Sequence, residues 1–230
     1  MKVIILAGGK ATRLPASAQN IPKALVGVGG KPVLQHQIDY LAQHGFSDIR
    51  LALCHKAEHV ISYLSGKYEY VVELEPLGTG GAIRYASRDL TDPFMVVNGD
   101  VLGDLNFTAF VQEFKQNPAP HMISVWHVQD ARSFGLVHHE AGRVSAFLEK
   151  PKVRQAGYIN AGVYILSPKD IKKMGEGSFS IERDFFPYVA KGGRLGVYVH
   201  EGWWADMGTE ERLEETRKYF KNKATPSQYV

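Results

Sequence analysis

Short continuous apolar runs alternate with amphipathic stretches through about the first hundred residues. The runs at 2–7, 49–54, 70–74 and 94–97 read as strands covered on both faces. Between them, Leu34, Ile38 and Leu41 recur at helical spacing after Pro32, and Gly45 is placed to end that helix. Further helices are predicted over 57–64 and 82–88, the last entered through the turn Gly78-Thr79-Gly80-Gly81. This alternation predicts an α/β fold with a Rossmann-like, doubly wound, mainly parallel sheet. After a helix at 108–115 the spacing tightens. Runs at 122–128, 135–138, 144–148 and 161–166 have fewer helices between them and predict mixed or antiparallel strands extending the same sheet. A helix at 181–190 and a strand at 195–200 follow. Thr209 is a plausible N-cap for a last helix, with Glu210 and Glu211 in its first turn.

Length and composition fit this picture. A chain of 230 residues can bury one sizeable core, and 44% hydrophobic with 22% charged residues is ordinary for a globular protein. The expected organisation is one domain over 1–230, with a first half to about 115, a second half to about 220, and a polar tail. A net charge of +3 gives no footprint of a nucleic-acid binder. No stretch reaches the roughly 20 apolar residues of a membrane span. The single Cys54 excludes an intramolecular disulfide, so a cytoplasmic setting is expected, with the thiol buried in its apolar run.

Ligands of open parallel sheets bind beyond the carboxyl ends of the strands. Three clusters fall there: Leu6-Ala7-Gly8-Gly9-Lys10-Ala11-Thr12-Arg13, the Gly78–Gly81 turn, and Asn98-Gly99-Asp100. Neither the P-loop nor the dinucleotide glycine pattern is present. Asp100 suits a metal-binding carboxylate or a turn residue, and Asp206 has the same two readings. Together they could hold Mg²⁺ against phosphates. His55 and His59, spaced for one face of a helix, lack a third ligand and read better as a solvated face. Trp203-Trp204 suits a sugar platform or a packed rim.

Six segments, in order, resemble sugar-1-phosphate nucleotidyltransferases (nucleotide-sugar pyrophosphorylases). They are the loop from Leu6 to Leu14 with Ile21-Pro22-Lys23, then Pro76-Leu77-Gly78-Thr79-Gly80-Gly81, Asn98-Gly99-Asp100, Glu149-Lys150-Pro151, Asn160-Ala161-Gly162-Val163-Tyr164, and Trp204 to Thr209. The resemblance implies Mg²⁺-dependent transfer of a nucleoside monophosphate from an NTP to a sugar 1-phosphate, with no nucleic acid or membrane partner and a homo-oligomer left open. It implies that Arg13 holds the leaving pyrophosphate and Lys23 the reacting phosphates. Asp100 and Asp206 would bind the metal, and Lys150 would pair with the sugar phosphate. Leu6, Ala7, Gly8, Gly9, Thr12, Glu73, Pro76, Gly78, Thr79, Asn98 and Gly99 would line the nucleotide. Glu149 and Asn160 would bond sugar hydroxyls, with the backbone at Gly135 and Gly162 beside them.

Glu73 stands where thymidylyl relatives carry glutamine, and a carboxylate suits the two adjacent N–H donors of guanine. The run beginning at Glu75-Pro76 looks most like heptose-1-phosphate and mannose-1-phosphate guanylyltransferases. A uridylyltransferase acting on an amino-sugar or muramic-acid-type phosphate, a cytidylyltransferase, and a catalytically weak binding subunit are the alternatives. Two departures stand out: Ala11 replaces the usual loop glycine, and Pro15-Ala16-Ser17 replaces proline-threonine. An alanine-compatible φ is expected at Ala11. The left-handed β-helix that follows in some relatives is not expected here.

Overall fold

The computed structural model describes residues 1–15 and 20–224. Ala16 and Ser17, and the tail from residue 225, lie outside the described residues.

The parallel half comprises strands β1 (Val3–Leu6), β4 (Ile49–Leu53), β5 (Glu69–Val72) and β6 (Phe94–Asn98), in the order β5-β4-β1-β6. In β1 the side chains alternate, as a strand requires. Val3 and Ile5 enter one buried cluster with Leu34, Ile38 and Leu41 of helix α1 (Val33–Gln43). Ile4 enters the opposite cluster with Ile83 and Ala86 of helix α3 (Gly78–Ala86). Helix α2 (Ala57–Tyr63) and helix α4 (Phe107–Gln116) cover the same face as α1. The two-sided apolar runs of the sequence are therefore explained by helices on both faces.

The second half adds β8 (His121–Val128), β9 (Gly135–Glu140), β10 (Arg143–Glu149), β11 (Gly157–Leu166) and β12 (Leu195–Val199) to that sheet, giving nine strands. β11 is the joint: it runs antiparallel to β6 and to β8, while β12 runs parallel to β8. The register of β11 against β8 slips between Asn160 and Tyr164, at Gly162, whose φ is +81°. Such a bulge re-aims side chains near a site.

Several local features differ from the sequence expectation. Gly78–Gly81 is the first turn of α3, not a loop before it, because the Gly80 and Gly81 N–H groups donate to the Phe179 carbonyl at 3.0 and 3.3 Å. The helix expected over 181–190 divides into a wide turn, Ile181–Phe185, and helix α6 (Phe186–Lys191), which follows a short helix α5 (Pro168–Ile171). Pro187 falls in the first turn of α6, directly after that wide turn. Two small ladders escaped the apolar pattern. The first is a hairpin of β2 (Gly27–Val28) and β3 (Lys31–Pro32), turned by Gly29 and Gly30 at positive φ. The second pairs β7 (Val101–Gly103) with β13 (Trp204–Asp206). Helix α7 (Glu210–Ala224) follows, with the Thr209 hydroxyl accepting from Arg212 N–H at 3.4 Å.

Candidate active site

A cleft of about 580 Å³ opens at the carboxyl edge of the parallel strands. Its walls come from the ends of β1, β4 and β6 and the segment after β5. Leu6, Gly8, Gly9 and Lys10 form one side, Glu73, Pro76, Gly78 and Thr79 another, and Asn98, Gly99 and Asp100 a third, with Lys23 reaching in. These residues are far apart in sequence and share one cleft because parallel strands present all their carboxyl ends on one edge.

Close backbone approach explains two glycines. A Cβ on Gly8 would meet Cys54 at 2.9 Å, and one on Gly99 would meet the Leu6 carbonyl oxygen at 2.3 Å. Gly99 N–H also donates to that carbonyl at 3.0 Å, fastening the turn after β6 to the end of β1. Ala11 is buried in a small cluster with Leu14, Val28 and Met207, and it is not among the non-glycine residues at positive φ. Alanine is therefore unstrained there, as expected.

Lys23, on a short helical turn (Lys23–Leu25), forms an ion pair with Asp100. Glu73 is buried, and its Oε2 accepts from Leu77 N–H at 2.9 Å. Burial lifts its carboxyl above the usual carboxylate range, against the lowering pull of that bond. Cys54 is half-buried on the cleft wall, not sealed in the core. Burial and then the Glu73 charge raise its thiol pKa, which disfavours the reactive thiolate.

The other half meets this cleft through Glu182 on its wall and through Tyr164, which is fully buried behind Asn98. Asn98 and Asn160 both donate to its hydroxyl, at 3.1 and 2.8 Å, while Asn160 Oδ1 accepts from Gly162 N–H at 2.8 Å. Gly162 packs on Asn98, and a Cβ there would meet its side chain at 3.2 Å. Gly135 opposes Glu149 across the β9–β10 ladder and leaves room for Phe147 and the Glu149 carboxylate. Burial raises the Glu149 carboxyl above its usual range; Lys150, at 3.3 Å, lowers it, and Glu182 raises it again. Lys150 is exposed, with φ at +49°.

Other predicted residues lie elsewhere. Ala7 is buried but does not line the cleft, and Thr12 and Arg13 are exposed outside it. Asp206 sits beside Asp100 in the backbone: it pairs with Val101, and Met207 N–H donates to the Asp100 carbonyl at 2.8 Å. Its carboxylate, however, accepts from Arg212 at 2.8 and 3.1 Å and from Gly208 N–H at 2.6 Å, and it lines a smaller cavity. The sequence predicts the two aspartates at one sheet edge; the β7–β13 ladder that brings their backbones together, and the arginine that occupies Asp206, left no signal in it. Sequence reasoning also missed Lys10 and Glu182 on the cleft wall. Glu182 accepts from the Thr79 and Ser180 hydroxyls, both at 2.7 Å.

His55 precedes α2 rather than sharing it with His59, and among the described residues no group of three His, Cys, Asp or Glu could hold a metal ion. Trp203 stacks on Tyr219 at 4.1 Å. Trp204 packs on Trp126 and Phe134 and donates to the Ala161 carbonyl at 2.8 Å, which makes the pair a packed rim. A separate, more apolar cavity of about 230 Å³ lies behind β7; it carries none of the predicted catalytic side chains, so the chemistry is assigned to the larger cleft.

This arrangement defines a doubly wound α/β protein with its ligand cleft at the carboxyl edge of the sheet. The chain belongs to the nucleotidyl transferase family, whose model, described as Nucleotidyl transferase, matches residues 2–223. It is 36% identical over 221 residues to a mannose-1-phosphate guanyltransferase of Emericella nidulans, covering 90% of this chain and 61% of that one. It is 35% identical over 220 residues to the catalytic subunit beta of a mannose-1-phosphate guanylyltransferase of Danio rerio, with the same coverage. The chain thus spans about 61% of the length of these curated relatives. The crystal structure of HddC from Yersinia pseudotuberculosis complexed with GMP-PN superposes with a TM-score of 0.82 at 33% identity, covering 95% of this chain and 99% of that one. No helix among the described residues is long and apolar enough to cross a membrane.

Proposed function

We propose that this chain transfers a guanylyl group from GTP to a hexose or heptose 1-phosphate, yielding a GDP-sugar and pyrophosphate. The observation that carries the proposal is a single cleft holding the glycine loop, the Lys23–Asp100 pair and the buried Glu73 carboxylate. The guanylyltransferase names of the relatives, and the GMP-PN in the HddC crystals, support the choice of base.

A phosphate monoester has its second pKa near ~6, so the acceptor is largely dianionic at neutral pH and needs no protein base. Catalysis is then positioning and charge neutralisation. Lys23 and the glycine-loop backbone orient the triphosphate, and Lys10 adds a second cation on the same wall. Glu73 accepts the guanine N–H donors. Arg13, exposed on the same loop, meets the leaving pyrophosphate. Lys150 holds the acceptor phosphate, Glu149 and Asn160 the sugar hydroxyls, and the backbone at Gly135 and Gly162 lines the sugar.

The donor set suits Mg²⁺, a hard cation commonly held by one or two carboxylates plus substrate phosphates. Asp100 faces the cleft, and Asp206 adjoins it on the paired strand; Asp206 would exchange its Arg212 partner for the ion. When bound, the ion supplies charge neutralisation at the phosphates. A pyrophosphate-release screen of ATP, GTP, CTP, UTP and dTTP against a panel of sugar 1-phosphates tests this reading. GTP is expected to be the preferred donor, and silence for every pair would leave a binding role instead.

A further inference from the structure

The Asp100 turn is tied on three sides, and one tie comes from a residue with no role in the function proposed above. Gly99 N–H is held by Leu6, and the Asp100 carbonyl by Met207 N–H. The third tie is Gln37 on α1. Its Nε2 donates to the carbonyl of Asn98 at 2.8 Å and to that of Val101 at 2.6 Å. Those two carbonyls bracket Gly99 and Asp100.

Gln37 is an anomaly on its helix face. It is only 5% exposed and stands among Val33, Leu34, Ile38 and Leu41, all buried and apolar. Its Oε1 is buried without a hydrogen-bond partner. Burying a half-satisfied amide among apolar groups opposes folding, and an aliphatic residue would avoid that cost. Both neighbours of Nε2 are carbonyl oxygens, so the amide must present its NH₂ to them and leave the oxygen unpaired. The two N–H bonds diverge at a fixed angle. Holding a carbonyl with each of them fixes the peptide planes at both ends of the turn, and with them the direction of the side chain between.

We propose that Gln37 is the positioning residue for Asp100, fixing the Asn98–Val101 turn so that the Asp100 carboxylate meets the metal–nucleotide complex in one orientation. The inference rests on the metal-binding role proposed for Asp100. It extends that role to a side chain that does not line the cleft. Groups that orient a metal ligand typically change metal affinity or activity by about 10–100-fold when removed.

The test compares Gln37→Met, which keeps length without donors, and Gln37→Glu, which keeps shape but turns acceptors toward the two carbonyls. Ile38→Val, in the adjacent core, is the control for lost stability alone. Amide exchange by mass spectrometry across residues 95–103 and at Met207, without substrates, should accelerate about tenfold or more in both Gln37 variants and stay near wild type in the control. With GTP and mannose 1-phosphate, the Mg²⁺ concentration for half-maximal pyrophosphate release should rise about tenfold or more, while KM for mannose 1-phosphate stays within about twofold. Unchanged exchange at the turn, or an unchanged Mg²⁺ requirement beside an active wild type, overturns the inference. An inactive wild type counts against the proposed function instead, and exchange still decides whether Gln37 holds the turn.

Discussion

Lys23 and Asp100, 77 positions apart, form an ion pair that joins the segment after the glycine loop to the turn after β6 inside the cleft. Lys23 is 11% exposed on its side chain and Asp100 33%, so the pair is partly shielded from solvent. In the proposed reaction each partner turns to a different charge, Lys23 to phosphate and Asp100 to the metal. Asp100→Asn should therefore lower kcat by about 100-fold or more, the scale of losing one strong electrostatic contact. Because the pair is incompletely buried, thermal unfolding should move only a few degrees. Lys23→Met should lower kcat similarly, and the double variant should fall little below the worse single one. Additive losses would show that the two act independently.

Glu73 gives a prediction about base choice. Its carboxylate must be ionised to accept both guanine donors, yet burial raises its pKa. GTP affinity should then decline as pH falls through that raised value, because protonation replaces an acceptor with a donor. Glu73→Gln should raise KM for GTP by roughly tenfold, leave UTP less affected, and flatten this pH dependence. Steady-state KM values for both nucleotides between pH 5 and 8 check it, and equal effects on the two would remove Glu73 from base reading.

Much of this arrangement was legible in the sequence because it depends on backbone periodicity. The apolar runs located β1, β4, β5 and β6, and the motifs at their ends mark most of the cleft wall. Long-range side-chain pairing was not legible. Arg212 reaches Asp206 from α7, and Phe179 accepts from the first turn of α3; neither contact leaves a periodic signal. Gln37 could have been noticed as a polar residue interrupting the apolar face of α1. The short β7 and β13 were missed because two or three paired residues are too few to establish alternation.

Lys150 is exposed and held at positive φ by its place after β10, where its N–H donates to the Phe134 carbonyl at 3.0 Å. An exposed lysine whose ion partner among the described residues is Glu149 is poorly explained by stability. Lys150→Ala should raise KM for the sugar 1-phosphate about 10-fold or more while leaving KM for GTP near wild type. A matching rise for GTP would place Lys150 on the nucleotide instead.

Far from the cleft, His121 and Asp170 are both fully buried. His121 Nδ1 accepts from Ser167 N–H at 3.2 Å, which leaves the other ring nitrogen to donate to Asp170 at 3.1 Å. Burial depresses the imidazole pKa to about 4, with Asp170 opposing the shift. A histidine depressed in the folded state takes up its proton in the unfolded chain first, near pH 6.5. Its contribution is thus complete above about 6.5 and is lost as pH falls toward 4, by about 3 kcal/mol in total. Urea unfolding of wild type at pH 7 and pH 5 should show this loss. His121→Asn, less stable at pH 7, should show a shallower decline over the same interval; an identical slope would assign the acid sensitivity to other groups.

The central claim is guanylyl transfer in the cleft between Glu73 and Asp100, and its most direct test is the product. The protein is incubated with equal concentrations of GTP, UTP, CTP and dTTP, with Mg²⁺ and mannose 1-phosphate or a heptose 1-phosphate, and the mixture is resolved by mass spectrometry. The account predicts a GDP-sugar and pyrophosphate in equal amounts from at least one acceptor, with the initial yield from Asp100→Asn about 100-fold or more lower. Formation of a UDP-, CDP- or dTDP-sugar in preference to the GDP-sugar, or the same yield from Asp100→Asn, would contradict it.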